Sequence, residues 1–188
     1  LNIHVTLLPY IKSAGEQKTK PTQHSVGRLR EIGIIPQILM CRTERPISQD
    51  QREKIALFCN VDVEAVIEAI DVKHIYEVPV ALKKQKLDEL ILKKLNIKLP
   101  DKGIKNWEEG VVKRLRSPAK EVKIAVVGKY IALQDAYKSI YEALVHGGIA
   151  NNARVNIVKI DSEELEKHDP KKILKGIQGV LIPGGFGS

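Results

Sequence analysis

Hydrophobic residues along the first half of the chain fall into short apolar runs separated by helical patterns. Residues 3–8 and 37–41 form nearly continuous apolar runs and predict buried strands. Residues 25–32 carry apolar positions at helical spacing, and Gly33 follows them as a C-terminal cap. Later segments predict a helix from Ser48 to about Phe58, a helix over 63–69 capped by Asp62, a strand-like run over 74–78 and an amphipathic helix over 80–95.

The second half begins with a segment rich in residues that interrupt helices and strands. Pro100, Gly103, Ser117 and Pro118 lie in residues 99–121, which predict an interdomain linker with a short helix over 107–115. Strands are then expected over 122–127, 155–160 and 180–182. Helices are expected over 135–145, after Ser162 as N-cap, and from Pro170 to about Leu174. This alternation predicts parallel pairing, as in the opening βαβαβ of a doubly wound domain.

Composition narrows the possible functions. The 188 residues carry a net charge of +8, with 43% hydrophobic and 4% aromatic residues. No apolar run approaches the roughly 20 residues of a membrane span, and residues 1–10 lack the features of a signal peptide. A basic chain can bind a polyanionic small molecule, but so few aromatic residues argue against binding single strands by base stacking. Cys41 and Cys59 lie in apolar surroundings and are predicted to be buried thiols, which favours a cytoplasmic location.

Residues 18–26, Lys-Thr-Lys-Pro-Thr-Gln-His-Ser-Val, carry the clearest candidate chemistry. Pro21 favours an extended conformation at Lys20, which would place the ammonium groups of Lys18 and Lys20 on one side of the chain. Hydroxyls, an amide and a following helix complete a set of groups suited to a polyphosphate. From the residues alone, a solvated basic loop with a helix cap is an equally good interpretation.

The same nine residues resemble the signature of the CTP synthase family, in which they form part of the UTP site and the overlapping CTP inhibitor site. Strings at 54–61 (Lys-Ile-Ala-Leu-Phe-Cys-Asn-Val), 127–130 (Val-Gly-Lys-Tyr), 135–139 (Asp-Ala-Tyr-Lys-Ser) and 183–187 (Pro-Gly-Gly-Phe-Gly) resemble that family in its order. The resemblance implies an α/β internal fragment. It would comprise the C-terminal part of a P-loop-type synthetase domain over 1–98, a linker over 99–121 and the start of a class I glutamine amidotransferase domain over 122–188.

The resemblance also implies roles for individual residues. The UTP- and CTP-binding candidates are Lys18, Thr19, Lys20, Pro21, Thr22, Gln23 and Lys54. Ile70, Asp71 and Val72 would form a loop between a helix and a strand that borders the ATP adenine through backbone groups. Gly185 would bind glutamine and, together with Gly184, contribute to an oxyanion hole. Without the resemblance, Lys54 is a surface lysine, Asp71 a turn residue and the glycines a tight turn.

For the full enzyme, the resemblance implies ATP-dependent amination of UTP to CTP, with glutamine or ammonia as nitrogen source. The enzyme would use ATP and Mg²⁺, with GTP as activator. It would be a cytoplasmic homotetramer that binds neither membranes nor specific nucleic acids. Lys129 and Lys138 are candidates for coupling ammonia delivery to nucleotide binding. Ser188 departs from the family's usual Arg-Gly continuation, which suggests an incomplete end.

Several expected functional groups are missing from the sequence. No cysteine follows Cys59 to act as glutaminase nucleophile, and no Gly-x-x-x-x-Gly-Lys-Ser/Thr phosphate loop or magnesium-binding carboxylate of the family occurs. The fragment alone is therefore expected to be inactive. Two alternatives remain at this stage: a non-catalytic basic α/β module that binds polyanions, and another class I amidotransferase, against which the string at 18–26 argues.

Overall fold

The chain folds into two compact units, Leu1–Ile104 and Lys105–Ser188. The computed structural model describes residues 1–100, 103–133 and 135–185. Each unit is built on a three-stranded parallel sheet flanked by helices. The predicted α/β class with parallel sheets is confirmed. Every helix in the described ranges is too short or too polar to span a bilayer.

Among the described residues of the first unit, three strands form the main sheet and two form a small antiparallel hairpin. In chain order they are β1 (Ile3–Leu7), β2 (Tyr10–Ile11), β3 (Glu16–Gln17), β4 (Ile38–Thr43) and β5 (Val66–Ile70). Its helices are α1 (Lys20–Glu31), α2 (Gln49–Cys59), α3 (Val78–Lys84) and α4 (Leu87–Lys94). The sheet order is β1-β4-β5, so β4 lies in the centre.

The central strand β4 is buried on both faces because helices cover both sides of the sheet. Leu39 and Cys41 pack on one side with residues of α1 and α2. Ile38 packs on the other side with Leu87 and Leu90 of α4. This alternation follows from the two-residue period of a strand, and the predicted buried strand over 37–41 is confirmed.

The prediction of a buried strand over 3–8 is wrong in its burial. β1 forms, but Val5 and Leu7 are 58% and 60% exposed, while Thr6 and the following Leu8 are buried. β1 is an edge strand of the described sheet, and the face that carries Val5 and Leu7 is not covered by a helix as the corresponding face of β4 is. A continuous apolar run cannot by itself distinguish a strand covered on one face from one covered on both.

The helix predicted over 63–69 is also wrong. Residues Val63–Ala65 form a single 3₁₀ turn, and Val66–Ile70 form strand β5 beside β4. Asp62 precedes the turn without a side-chain cap. Val66 and Ile67 are both buried, on opposite sides of the sheet, which requires helices on both faces. Such a short apolar run has no periodicity that separates strand from helix.

The segments after β5 differ from prediction as well. The strand-like run over 74–78 is a 3₁₀ turn, Ile75–Glu77, that leads into α3. The single amphipathic helix over 80–95 is instead α3 and α4, separated at Lys86, which has a left-handed φ of 57°. The helix from Ser48 is confirmed, with a capping box between Ser48 and Gln51.

The second unit begins with a helical segment and continues as strands alternating with helices. The segment contains α5 (Lys105–Trp107), a π turn (Glu108–Val112) and α6 (Lys113–Arg116). There follow β6 (Lys120–Gly128), α7 (Lys138–Ala150), β7 (Ala153–Asp161), α8 (Ser162–Lys167), α9 (Pro170–Ile173) and β8 (Gly179–Leu181). The sheet order is β7-β6-β8 with parallel pairing, which confirms the predicted βαβαβ unit.

The cap of α8 corrects one prediction. The side chain of Asp161, not Ser162, accepts a hydrogen bond from the Glu163 amide at 2.9 Å. Asp161 has the extended backbone of an N-cap, whereas Ser162 is already the first helical residue. Asp169 caps α9 in the same way through the Lys171 amide.

Candidate functional site

The candidate phosphate-binding residues lie where the main sheet of the first unit ends. Leu8, just past β1, donates from its amide to the Arg42 carbonyl at 2.8 Å, and the Lys18 amide donates to the Pro9 carbonyl at 2.9 Å. These bonds hold the β2–β3 hairpin beside the carboxyl ends of β1 and β4. In open α/β sheets, ligands bind at this edge.

Gln17 anchors the hairpin to the end of β4. Its buried side-chain amide donates to the Thr43 hydroxyl at 2.6 Å and to the Arg45 carbonyl at 2.9 Å. The Arg45 guanidinium in turn lies 3.7 Å from the centroid of the Tyr10 ring. Sequence reasoning missed all of these contacts, because polar residues of a two-residue strand give no periodic signal. They fix the backbone from which the next residue, Lys18, projects.

Lys18 pairs with a carboxylate, and the charge of Lys54 acts on the same group. The Lys18 ammonium forms an ion pair with Glu16, and both side chains are about half exposed, at 46% and 55%. The hydrogen bond and the charge of Lys18 hold the pKa of Glu16 below its ordinary value, and the charge of Lys54 acts in the same direction. Lys54 projects from the exposed side of α2. Glu16 was not among the predicted site residues.

Lys20 does not have the extended conformation that was predicted from Pro21. Helix α1 begins at Lys20, five residues earlier than the expected start at Ser25, and Pro21 lies in its first turn. Proline is favoured there because its fixed φ suits a helix and the missing amide would have no intrahelical partner. Lys18 and Lys20 are nevertheless both exposed, whereas Thr19 between them is buried.

Thr22 and Gln23 of α1 form hydrogen bonds that hold the start of the helix in place. The Thr22 side chain is fully buried, and its hydroxyl donates to the Leu7 carbonyl at 3.1 Å. The Gln23 amide donates to the Thr19 hydroxyl at 3.2 Å. No acidic residue lies in the first turn of α1, so its positive end is electrostatically open to an anion.

The predicted ATP-binding residues lie at the same edge of the sheet. Ile70 is the last residue of β5, and Asp71 and Val72 follow it, so the loop leaves a strand and not a helix as predicted. The Asp71 amide donates to the Thr43 carbonyl at 3.2 Å, and its carboxylate pairs with Arg42. The loop is thus tied to the end of β4.

In the second unit, Gly184 and Gly185 follow β8 at the carboxyl end of its sheet and are exposed. Tyr130, two residues beyond the end of β6, lies next to them: a Cβ on Gly185 would be 4.0 Å from the Tyr130 ring. Tyr130 and Gly185, which belong to two of the family strings, therefore meet at one edge. Phe186, Gly187 and Ser188, like residues 101 and 102 of the predicted linker, lie outside the described residues.

Lys129 directly follows β6, and Lys138 is the first residue of α7. Both side chains are exposed.

The two cysteines are free and buried, as predicted. Burial raises the pKa of the Cys41 thiol to about 12 and also raises that of Cys59. In the described part of the chain, no group of three or more His, Cys, Asp or Glu side chains is placed to hold a metal ion.

Comparison with known proteins agrees with this arrangement. Residues 1–97 match the family model for the CTP synthase N-terminus, and residues 132–188 match that for class-I glutamine amidotransferase. The chain belongs to the CTP synthase family. The family resemblance inferred from the five strings is thereby confirmed, and neither a polyanion-binding module nor an unrelated amidotransferase is favoured.

Relatives in this family match along the whole chain. The CTP synthase of Trichlorobacter lovleyi is 53% identical over 188 residues, covering 100% of this chain and 35% of the relative. The CTP synthase of Geobacter metallireducens is 56% identical over 190 residues, which cover 100% of this chain and 35% of the relative. That of Methylorubrum extorquens is 55% identical over 185 residues, with coverage of 98% and 34%. The chain thus spans little more than a third of the length of these relatives.

Proposed function

We propose that this chain acts as part of an enzyme that aminates UTP to CTP at the expense of ATP, with glutamine or ammonia as nitrogen source. The observation that carries the proposal is the position of residues 18–26. They lie at the carboxyl edge of a parallel sheet, with Lys18 paired to Glu16 and Lys20 at the start of a helix. The family match spans both units.

In this proposal, Lys18, Lys20 and Lys54 bind the phosphates of UTP as substrate and of CTP as inhibitor. All three are exposed, and lysine acts on phosphate as a positive charge with three donors. Thr19, Pro21, Thr22 and Gln23 complete the segment. Of these, buried Thr22 acts by holding α1 against β1. Loss of any of the three lysines should therefore reduce the affinity for UTP and CTP most directly.

The proposal assigns ATP to the neighbouring loop. Ile70, Asp71 and Val72 would border the adenine through their backbone groups. The loop lies beside the end of β4, to which the Asp71 amide is hydrogen-bonded. Adenine would therefore bind at the same sheet edge as the UTP phosphates. Mg²⁺ is proposed for the whole enzyme, but we assign it no ligand among the described residues.

Glutamine is assigned to the second unit. The exposed backbone of Gly184 and Gly185 is suited to bind glutamine and to donate amide hydrogens to an oxyanion. Lys129 and Lys138 would couple ammonia delivery to nucleotide binding. The 188 residues alone are expected to be inactive, since they contain no cysteine after Cys59.

The wider assignments follow the family. We propose a homotetramer, GTP activation and a cytoplasmic location, the last supported by two free buried thiols that suit a reducing compartment. The proposed domain limits are 1–98 and 122–188 with a linker over 99–121. The division into compact units at Ile104 supports a boundary in this region.

Alanine substitutions in the full-length enzyme test the proposal. Lys18→Ala, Lys20→Ala and Lys54→Ala should each weaken UTP and CTP binding together, because both nucleotides have the same phosphates. Loss of one charged hydrogen bond costs roughly 1.5–3 kcal/mol, or about one to two decades in affinity. Lys93→Ala removes an exposed lysine of α4 that pairs with Glu64 and serves as the charge-matched control. Equal losses from Lys20→Ala and Lys93→Ala, or none from the three site variants, would reject the assignment.

A further inference from the structure

Glu16 holds a position that the proposed function leaves unexplained. Exposure alternates along Glu16, Gln17 and Lys18, with the middle side chain buried against Thr43. In an extended chain, residues i and i+2 project to the same side. The anchoring of Gln17 therefore keeps Glu16 and Lys18 side by side, and their side chains form an ion pair.

A carboxylate at this position is unexpected beside a phosphate site. UTP and CTP carry about four negative charges, and a neighbouring carboxylate repels them. Glu16 also lies within the electrostatic reach of Lys54, the second lysine assigned to the phosphates. The Glu16 carboxylate thus offsets part of the positive charge that is proposed to bind the phosphates.

We propose that Glu16 competes with the ligand phosphates for Lys18 and thereby sets the affinity for pyrimidine nucleoside triphosphates. This inference rests on the proposed function. The Lys18 ammonium pairs with the Glu16 carboxylate. On binding, the phosphates take over that ammonium and the carboxylate turns toward solvent. The affinity for UTP and CTP is thereby kept below the value that the lysines alone would give.

The ion pair between Glu16 and Lys18 contributes little to the stability of the fold, so Glu16 can be substituted without unfolding the protein. Exposed ion pairs of this kind contribute little to stability because solvent screens them. The hairpin is held instead by the hydrogen bonds of Gln17 and by the backbone bond from Lys18 to Pro9. Glu16 can therefore be changed without removing the contacts that position Lys18.

The test compares nucleotide binding by the full-length enzyme with and without this carboxylate. Glu16→Gln should tighten both UTP and CTP by about three- to tenfold at low salt, with a smaller gain at high salt because screening weakens the repulsion that is removed. Uridine, which has no phosphates, should bind to the variant and the parent equally. Calorimetric titration measures all three ligands.

Two further variants give the test its controls. In a Lys18→Ala background, Glu16→Gln should tighten UTP binding less than it does in the parent, because competition for Lys18 is gone and only direct repulsion by the carboxylate remains. Glu31→Gln removes another exposed carboxylate, paired with Arg28 at the far end of α1, and should leave UTP binding unchanged. Unchanged or weaker UTP binding by Glu16→Gln, or an equal gain for uridine, would overturn the inference. If Lys18→Ala, Lys20→Ala and Lys54→Ala all bind UTP normally, the proposed function fails instead.

Discussion

The hydroxyl of Tyr137 occupies the space that a side chain on Gly128 would need. A Cβ on Gly128 would lie 2.5 Å from the Tyr137 oxygen and 2.7 Å from the ring. Gly128 ends β6, and Tyr137, which is 4% exposed, directly precedes α7. The same hydroxyl accepts a hydrogen bond from the Tyr130 amide at 3.4 Å. Glycine at the strand end thus lets Tyr137 brace the turn that carries Lys129 and Tyr130.

Gly128→Ala should therefore destabilise the second unit. Overpacking of a filled interior typically costs about 1–3 kcal/mol, and here Tyr137 would have to move away from the Tyr130 amide. Urea unfolding should show a lower midpoint. Tyr137→Ala, which frees the space, should reduce the additional cost of Gly128→Ala in the double variant. Equal costs in both backgrounds would contradict the proposed clash.

Adjacent glycines in α7 should respond to alanine in opposite directions. A Cβ on Gly148 would lie 2.6 Å from the Ala153 carbonyl oxygen, whereas a Cβ on Gly147 meets nothing within 4 Å. Gly147→Ala should raise the free energy of unfolding by about 0.5–1 kcal/mol, since glycine is a poor helix former. Gly148→Ala should lower it. Urea titrations of the two variants serve as controls for each other, and a common sign would disprove the packing argument.

The caps and central strands could be predicted from sequence because their signals are local. Ser48 with Gln51 three residues later marks a capping box, and Gly33 ends α1 with a positive φ of 83°. The apolar runs of β4 and β6 are long enough to indicate buried strands. In each case the residues that determine the structure lie within a few positions of one another.

Features that depend on tertiary packing could not be predicted. Val66–Ile70 becomes a strand because the edge of β4 is available, which no local pattern reveals. The same holds for the candidate site: the buried Gln17 side chain is hydrogen-bonded to Thr43, 26 positions further along the chain, and this contact fixes the hairpin from which Lys18 projects. For Lys20, two local preferences conflict. A residue before proline favours an extended conformation, but proline is also favoured in the first turn of a helix, and here Lys20 begins α1.

Cys41 should be unreactive in the folded protein near neutral pH. The thiolate is the nucleophile, and burial raises the pKa of Cys41 from 9.0 to about 12. Iodoacetamide at pH 8 should modify Cys41 only after denaturation, as followed by peptide mass spectrometry. Because the folded pKa lies above the unfolded one, the stabilisation is complete below about pH 9 and is lost as pH rises toward 12. Rapid labelling of Cys41 in the folded protein would contradict its burial.

Thr22 should separate stability from ligand affinity. Its side chain is fully buried and donates to the Leu7 carbonyl, with the Thr6 hydroxyl 3.4 Å away. Thr22→Val keeps the shape but removes the hydroxyl that bonds the Leu7 carbonyl and the buried Thr6 hydroxyl, so we expect a loss of about 1–3 kcal/mol in the free energy of unfolding. Thr22→Ser keeps the hydroxyl and should recover most of this loss. Lys20→Ala, an exposed change, should leave stability nearly intact while weakening UTP binding. If Thr22→Val unfolds at the parent's urea concentration but binds UTP at least tenfold more weakly, Thr22 contacts the ligand directly and does not act as a support.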